Sequence, residues 1–285
     1  MKNLSWIFAL LLTVGLFQSC AKEEPLQEEP PANLKAPEIP PMAMFTMPTE
    51  SFDETAVDTS EFGSGGGGGP VSYYNWFHSA VNLVFWNAAI RLHMALPTAA
   101  FGAAVSQPAV YIGDLTFLWE YTYVAPPAQG NQTYHVQLTG QFTPDLEDVL
   151  WTLTVSQEGG FTDFVWYTGI SSTQQNEGMF TLNWNPDNPQ SYLQLDYSGD
   201  NSTGEGTLRF TNVVTGSPDF GQYIEYRERP ADPYDRAFDV QGDPGYFLEI
   251  QWNEDAKDGR VRHPFNFGDD QWHCWDSNLM DVECL

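Results

Sequence analysis

The chain has 285 residues, of which 42 % are hydrophobic, 17 % charged and 15 % aromatic. Aspartate and glutamate outnumber lysine and arginine 38 to 11, a formal net charge of −27, which repels phosphate backbones and excludes nucleic acid as a partner. The aromatic content excludes a wholly disordered polyanion, and without a Walker loop, HExxH, GxSxG or paired CxxC the sequence names no reaction.

The N-terminus reads as a targeting segment. Lys2 is the sole charge before Lys22, and Leu4 to Phe17 is an apolar run of signal-peptide length, shorter than the roughly 20 residues a membrane span needs. It ends in Leu16-Phe17-Gln18-Ser19-Cys20. A small residue directly before a cysteine at this point resembles the lipobox of bacterial lipoproteins, from which Phe17 and Gln18 depart in replacing a leucine and a small residue. The resemblance implies that Cys20 is the lipid anchor, diacylglycerylated with palmitate as the expected acyl class, and becomes the mature N-terminus. The competing expectation is ordinary cleavage after Ala21, since Ser19-Cys20-Ala21 satisfies a small-x-small rule. Ala21-Lys22-Glu23-Glu24 resembles the Lys-acid-acid export signal of Bacteroidetes lipoproteins, which implies lipid anchoring in the outer membrane at the cell surface. Its plain alternative is the charged start of a linker.

Residues 21–70 read as that linker. They hold eight prolines, ten acids and no Trp or Tyr, and finish in the glycine tract Gly63 to Gly69. Such a composition does not bury enough apolar surface to offset chain entropy, so a disordered spacer is expected, with Pro30-Pro31 and Pro40-Pro41 in no packed element. A 50-residue coil reaches roughly 40 Å. Met42, Met44, Phe45 and Met47 form its one apolar island.

Residues 71–285 carry 28 acids, eight bases and nine of the ten tryptophans, and constitute the folded domain. Tyr73 to Leu96 predicts a helix: Asn75, His78, Ser79 and Asn82 recur at helical spacing, while Trp76, Phe77, Val81, Val84, Phe85, Ile90 and Leu92 cover the rest, as in a helix buried on several sides. Asn87, Arg91 and His93 oppose a membrane span. Pro97 predicts the start of a second short helix, to Val105.

From Val110 the apolar period becomes two. Leu115–Tyr123, Tyr134–Phe142, Val149–Val155, Phe164–Ile170, Met179–Trp184, Tyr192–Tyr197, Gly206–Val214, Gln222–Glu228, Ala237–Val240, Tyr246–Trp252 and Arg260–Phe267 predict about eleven strands. Turn formers separate them at Pro126-Pro127, Glu158-Gly159-Gly160, Asn185-Pro186-Asp187, Ser198-Gly199-Asp200 and Asp258-Gly259. The short gaps leave no room for crossover helices. The expected fold class is therefore mainly β: a curled or closed antiparallel meander, barrel or half-barrel, with the N-terminal helices packed on it. This inferred architecture resembles the half-barrels of bacterial lipoprotein carriers, which hold acyl chains between sheet and lid. It shares no motif with them and departs in placing its helices before the first strand.

Three cysteines become an even pair once Cys20 is assigned to lipid, so Cys274 and Cys284 are expected to form a disulfide in an oxidising envelope. Zinc held by His263, His273, Cys274 and Cys284 is the weaker alternative, because no CxxC or HxxxH spacing supports it. No metal, cofactor or catalytic residue is assigned. His78 and His93 could share a helix face, Glu120 sits between Trp119 and Tyr121 in a strand, and the acid clusters at 145–148, 253–255 and 269–270 lack the ligand alternation of an EF-hand. Candidate ligand-binding residues are Trp119, Tyr121, Trp151, Trp166 and Trp184, with Trp252 on a further strand; plain core packing is their alternative.

The leading expectation is a tethered, non-catalytic binding domain for an apolar small molecule or lipid. The alternatives are an adhesion or assembly module with a surface protein partner, and a carbohydrate-binding or hydrolysing domain. An enclosed apolar cavity marks the first, an exposed apolar patch the second, and a carboxylate pair in an aromatic cleft the third.

Overall fold

The computed structural model describes residues 29–40, 52, 72–104, 106–125, 131–243 and 245–284, with the backbone alone at 91–101. The lipobox around Cys20, the Lys22-Glu23-Glu24 signal, the Met42–Met47 island, the glycine tract and Pro126-Pro127 lie outside these residues.

Helix α1 runs unbroken from Tyr74 to Ala104. The predicted break at Pro97 is not made. Proline removes one backbone donor from a helix interior, but Ala95, Ala99, Ala100, Ala103 and Ala104 surround it with the strongest helix formers. Its first turn is capped from far away in sequence: the Asp281 carboxylate accepts from the backbone N–H of Tyr74 at 3.2 Å and of Asn75 at 2.9 Å. The polar stripe of α1 faces inward. Asn75 Nδ2 donates to the Cys274 carbonyl at 2.9 Å and Ser79 Oγ to the Asn75 carbonyl at 2.8 Å, which allows both residues to be buried. Trp76, Ala80, Leu83 and Ile90 join the core, whereas Val81, Val84 and Phe85, expected to be covered, are exposed.

The strands are β1 (Val110–Gly113), β2 (Thr116–Val124), β3 (Thr133–Phe142), β4 (Asp148–Gln157), β5 (Phe164–Ser172), β6 (Glu177–Asn185), β7 (Asn188–Asp200), β8 (Glu205–Asn212), β9 (Tyr223–Glu228), β10 (Arg236–Gln241), β11 (Phe247–Trp252), β12 (Gly259–Arg262), β13 (His273–Trp275) and β14 (Asp281–Val282), with a one-turn α2 (Pro264–Phe267) after β12. They form one sheet in which spatial order equals chain order, and every pairing is antiparallel. The eleven predicted strands are β2 to β12. The additional β1, β13 and β14 are two to four residues long, too short to show a period of two. The predicted break at Ser198-Gly199-Asp200 lies within β7, and the end of the run Arg260–Phe267 is α2, where Pro264 opens a helical turn.

The sheet is not closed, since β1 and β14 do not pair. It is curled: α1 touches β2 and β3 near one edge and β12, β13 and β14 at the other. A row of inward residues in direct cross-strand register shows how the curl is accommodated. Phe117, Gly140, Trp151, Gly169 and Phe180 follow one another across β2 to β6. A Cβ on Gly140 would lie 2.8 Å from Trp151 Cζ3, and one on Gly169 would collide with Phe180. The rings lie over bare backbone, so the concave face closes up without crowding.

Inside the curl, Leu138, Leu153, Leu182, Leu195, Leu248 and Ile250 meet the helix residues in one core. Part of the expected spacer joins it. Pro37 and Pro40 are buried, Ala36 and Ile39 pack against the core, and Phe52 is 2 % exposed between Trp76, Trp252 and Trp275, with ring centroids 5.0 to 6.4 Å away. Cys274 and Cys284 form the expected disulfide, Cα atoms 5.2 Å apart, closing the loop that carries Asp281.

Candidate functional site

Between the middle of α1 and one end of strands β6 to β10, with the turn that follows β10, lies a cleft of about 480 Å³, within the range typical of small-molecule sites. Trp86, Ala89 and Ile90 of α1 form one wall. The other is built from Trp184, Tyr192, Leu193, Phe210, Ile224, Val240 and Tyr246. The strand alternation of period two aims most of these apolar side chains inward, and a bulge in β7, where Leu182 pairs with Leu193 and Asn183 with Ser191, adds Tyr192 beside Leu193. Near the strand ends the lining becomes polar, with Asn212, Gln222, Gln241 and Asp243.

The aromatic wall is ordered by ring contacts. Trp184 and Tyr192 lie 5.3 Å apart, tilted at 60°, and Trp86 meets Phe85 edge-on at 5.2 Å. Burial raises the Tyr192 phenol to about 12 and shifts Tyr246 upward, so both rings stay uncharged across the physiological range. Trp184 is 47 % exposed, which is unusual for so large an apolar side chain and places it at the mouth. The Trp86 Nε1–H is buried and has no hydrogen-bond partner among the described residues.

Of the sequence-predicted ligand residues, only Trp184 lines this cleft. Trp119 and Trp151 are buried core residues whose rings lie 5.9 Å apart, and Trp151 Nε1 donates to Ser171 Oγ at 2.8 Å. Tyr121 is partly buried in the core, which raises its phenol. Trp166 is the extra residue of a bulge in β5, where Leu153 pairs with Tyr167 and Thr154 with Val165; it packs on Phe164 at 5.2 Å. Trp252 is core. These residues share an interior without converging on a pocket. Trp86, Tyr192 and Tyr246 were visible as aromatics, but their meeting depends on how the sheet curls round α1, which a single strand does not encode.

A second feature lies where α1 meets β12 and α2. His78 Nε2 and His263 Nδ1 are 2.9 Å apart, flanked by Tyr74, Tyr246 and Phe267. Burial first, and then the neighbouring His263, lowers His78 to about 4; burial also lowers His263. Both rings are neutral at pH 7, one donating and the other accepting. The zinc alternative does not assemble, because both cysteines are cross-linked. No group of three or more His, Cys, Asp or Glu among the described residues is placed to hold a metal. The His93 side chain lies outside the described residues.

The outer face carries a shallow groove of about 640 Å³ along β4 to β9, whose lining includes Ile170, Met179, Asp196, Arg209 and Glu225. Its charges belong to a row in direct register, Asp196, Arg209, Glu225, Asp239, Glu249 and Arg262, crossing six strands. Arg209 Nε donates to Glu225 Oε2 at 2.6 Å, Arg227 pairs with Asp239, and Arg262 with Glu249. Asp196 accepts from Gln194 Nε2 at 2.8 and 3.0 Å, while Asp239 Oδ1 is buried without a hydrogen-bond partner among the described residues. Glu120 faces solvent and accepts from Gln137 Nε2 at 2.8 Å.

No helix among the described residues is long and apolar enough to cross a membrane. No family model, curated protein or solved structure matches the chain, so the functional reading rests on this geometry and on the N-terminal sequence.

Proposed function

We propose that the chain is a lipoprotein, anchored through acylated Cys20 in the outer membrane and displayed at the cell surface, whose β domain binds an apolar small molecule or lipid without catalysis. The observation that carries the binding half is the aromatic-walled cleft between α1 and the sheet, with Trp184 at its mouth. The anchoring half rests on the Leu16–Cys20 and Lys22–Glu24 patterns.

A Cys20→Ala chain tests both. In a native host it moves from the membrane to the soluble fraction and loses incorporated palmitate; persistence in the membrane with cleavage after Ala21 overturns the anchor. Native mass spectrometry of the released protein shows an excess mass that extracts into organic solvent. A bare mass, together with no binding of added acyl lipids, overturns the ligand site.

The exposed α1 residues Val81, Val84 and Phe85 favour the second reading, an adhesion or assembly module. On that reading Val81→Glu abolishes cell-surface association with a protein partner and leaves lipid binding intact.

A further inference from the structure

Taking the cleft as a ligand site, we propose that it selects an amphiphile whose head group is uncharged and hydroxylated, such as a monoacylglycerol, against fatty-acid and phosphate anions. The inference rests on which polar groups stand at the end of the apolar walls. Among the described residues, Asp243 is the one charged group lining the cleft, and none of the lining residues is Lys, Arg or His. A second carboxylate stands behind it: Gln222 Nε2 donates to Asp243 Oδ1 and to Asp219 Oδ1, each at 3.0 Å.

The nearby cations among the described side chains are engaged elsewhere or neutral. The Arg209 guanidinium lies 4.1 Å from the centre of the Tyr223 ring and is bonded to Glu225. His263, 5.1 Å from Tyr246 between ring centroids, is kept uncharged by burial. An anionic head placed beside Asp243 meets like charge with no counter-ion among the described side chains, and that repulsion disfavours it.

Hydrogen-bonding capacity points the same way. Trp86 Nε1–H lacks a partner among the described residues. Gln241 Nε2 reaches the Gly242 and Tyr246 carbonyls only at 3.5 and 3.4 Å, too long for good bonds. The site therefore offers donors in need of an acceptor beside a carboxylate with acceptor capacity beyond its bond from Gln222. A hydroxyl supplies both, a carboxylate only accepts and an ammonium only donates.

The experiment uses the Cys20→Ala chain with the uncharged dye N-phenyl-1-naphthylamine as reporter. Monolauroylglycerol and dodecanoate, which share a tail length, are titrated as competitors at pH 8 below their aggregation limits. Monolauroylglycerol displaces the dye at a concentration roughly tenfold below that of dodecanoate, the ratio expected for one unfavourable charge contact. Asp243→Lys, an exposed position, improves dodecanoate and closes that gap. Equal or tighter displacement by dodecanoate from the unmodified cleft overturns the head-group selection while leaving the apolar site standing. Failure of the dye to bind overturns the site itself.

Discussion

Asp281 accepts a hydrogen bond from the backbone N–H of Asn75 at 2.9 Å, across 206 residues of sequence. The first turn of a helix leaves backbone donors without partners, and here the last strand of the sheet supplies the missing acceptor together with a negative charge. In return, Ser72 O accepts from Asp281 N at 2.7 Å. The two ends of the domain are thus joined by a reciprocal contact.

Replacing that carboxylate tests the cap. Asp281→Ala lowers unfolding stability by about 1 kcal/mol, read from urea midpoints, while Asp281→Asn recovers part of the loss by keeping an acceptor. An unchanged midpoint in the alanine variant shows that the contact is not a stabilising cap.

The disulfide holds the segment that carries this cap. Reducing it, or substituting Cys284→Ser, costs about 2.5–3 kcal/mol by loss of loop constraint. Because Asp281 lies inside the closed loop, Asp281→Ala and Cys284→Ser together cost less than the sum of their separate effects. Strict additivity shows that staple and cap act independently.

The histidine pair makes stability depend on pH. His78 is lowered from 6.5 to about 4 in the folded protein, so between those values the unfolded chain binds the proton first. Its contribution is complete above about pH 6.5 and is lost as the pH falls towards 4. Asp239 opposes this trend: burial raises it from 3.8 to about 6, so the folded state gains from its protonation as the pH falls through 6. Comparing His78→Gln with the parent separates the two. Thermal midpoints between pH 7 and 4 decline less in the variant, and parallel curves sink the assignment.

Phe52 joins the N-terminal segment to the core. Phe52→Ala lowers stability by about 3–5 kcal/mol, the usual cost of removing a buried aromatic ring. A chain beginning at Val71 is destabilised for the same reason. Denaturant midpoints matching those of the parent show that the ring is dispensable.

Much of the architecture was legible because β2 to β12 obey a period of two, and their turns are marked by Pro, Gly and Asn. The disulfide followed from cysteine parity once Cys20 was set aside. Phe52 was hidden because a single aromatic in a proline- and acid-rich stretch carries no periodic signal. The inward polar face of α1 was ambiguous for a related reason: Asn75 and Ser79 are buried only because Cys274 and the helix's own carbonyl take their hydrogen bonds. The Trp set was chosen by residue type and strand position, whereas the cleft is defined by the strand ends that the curl brings beneath Trp86.

The coincidence of spatial and chain order in the sheet has a consequence for how the molecule is made. Each strand needs only its immediate predecessor to pair, so hairpins close over short loops at small entropic cost and the sheet grows in step with synthesis. Helix α1 is on the opposite schedule. It is synthesised before any of these strands, yet Asp281 emerges in β14, after all the others, so the helix gains its cap only once the whole sheet has been made.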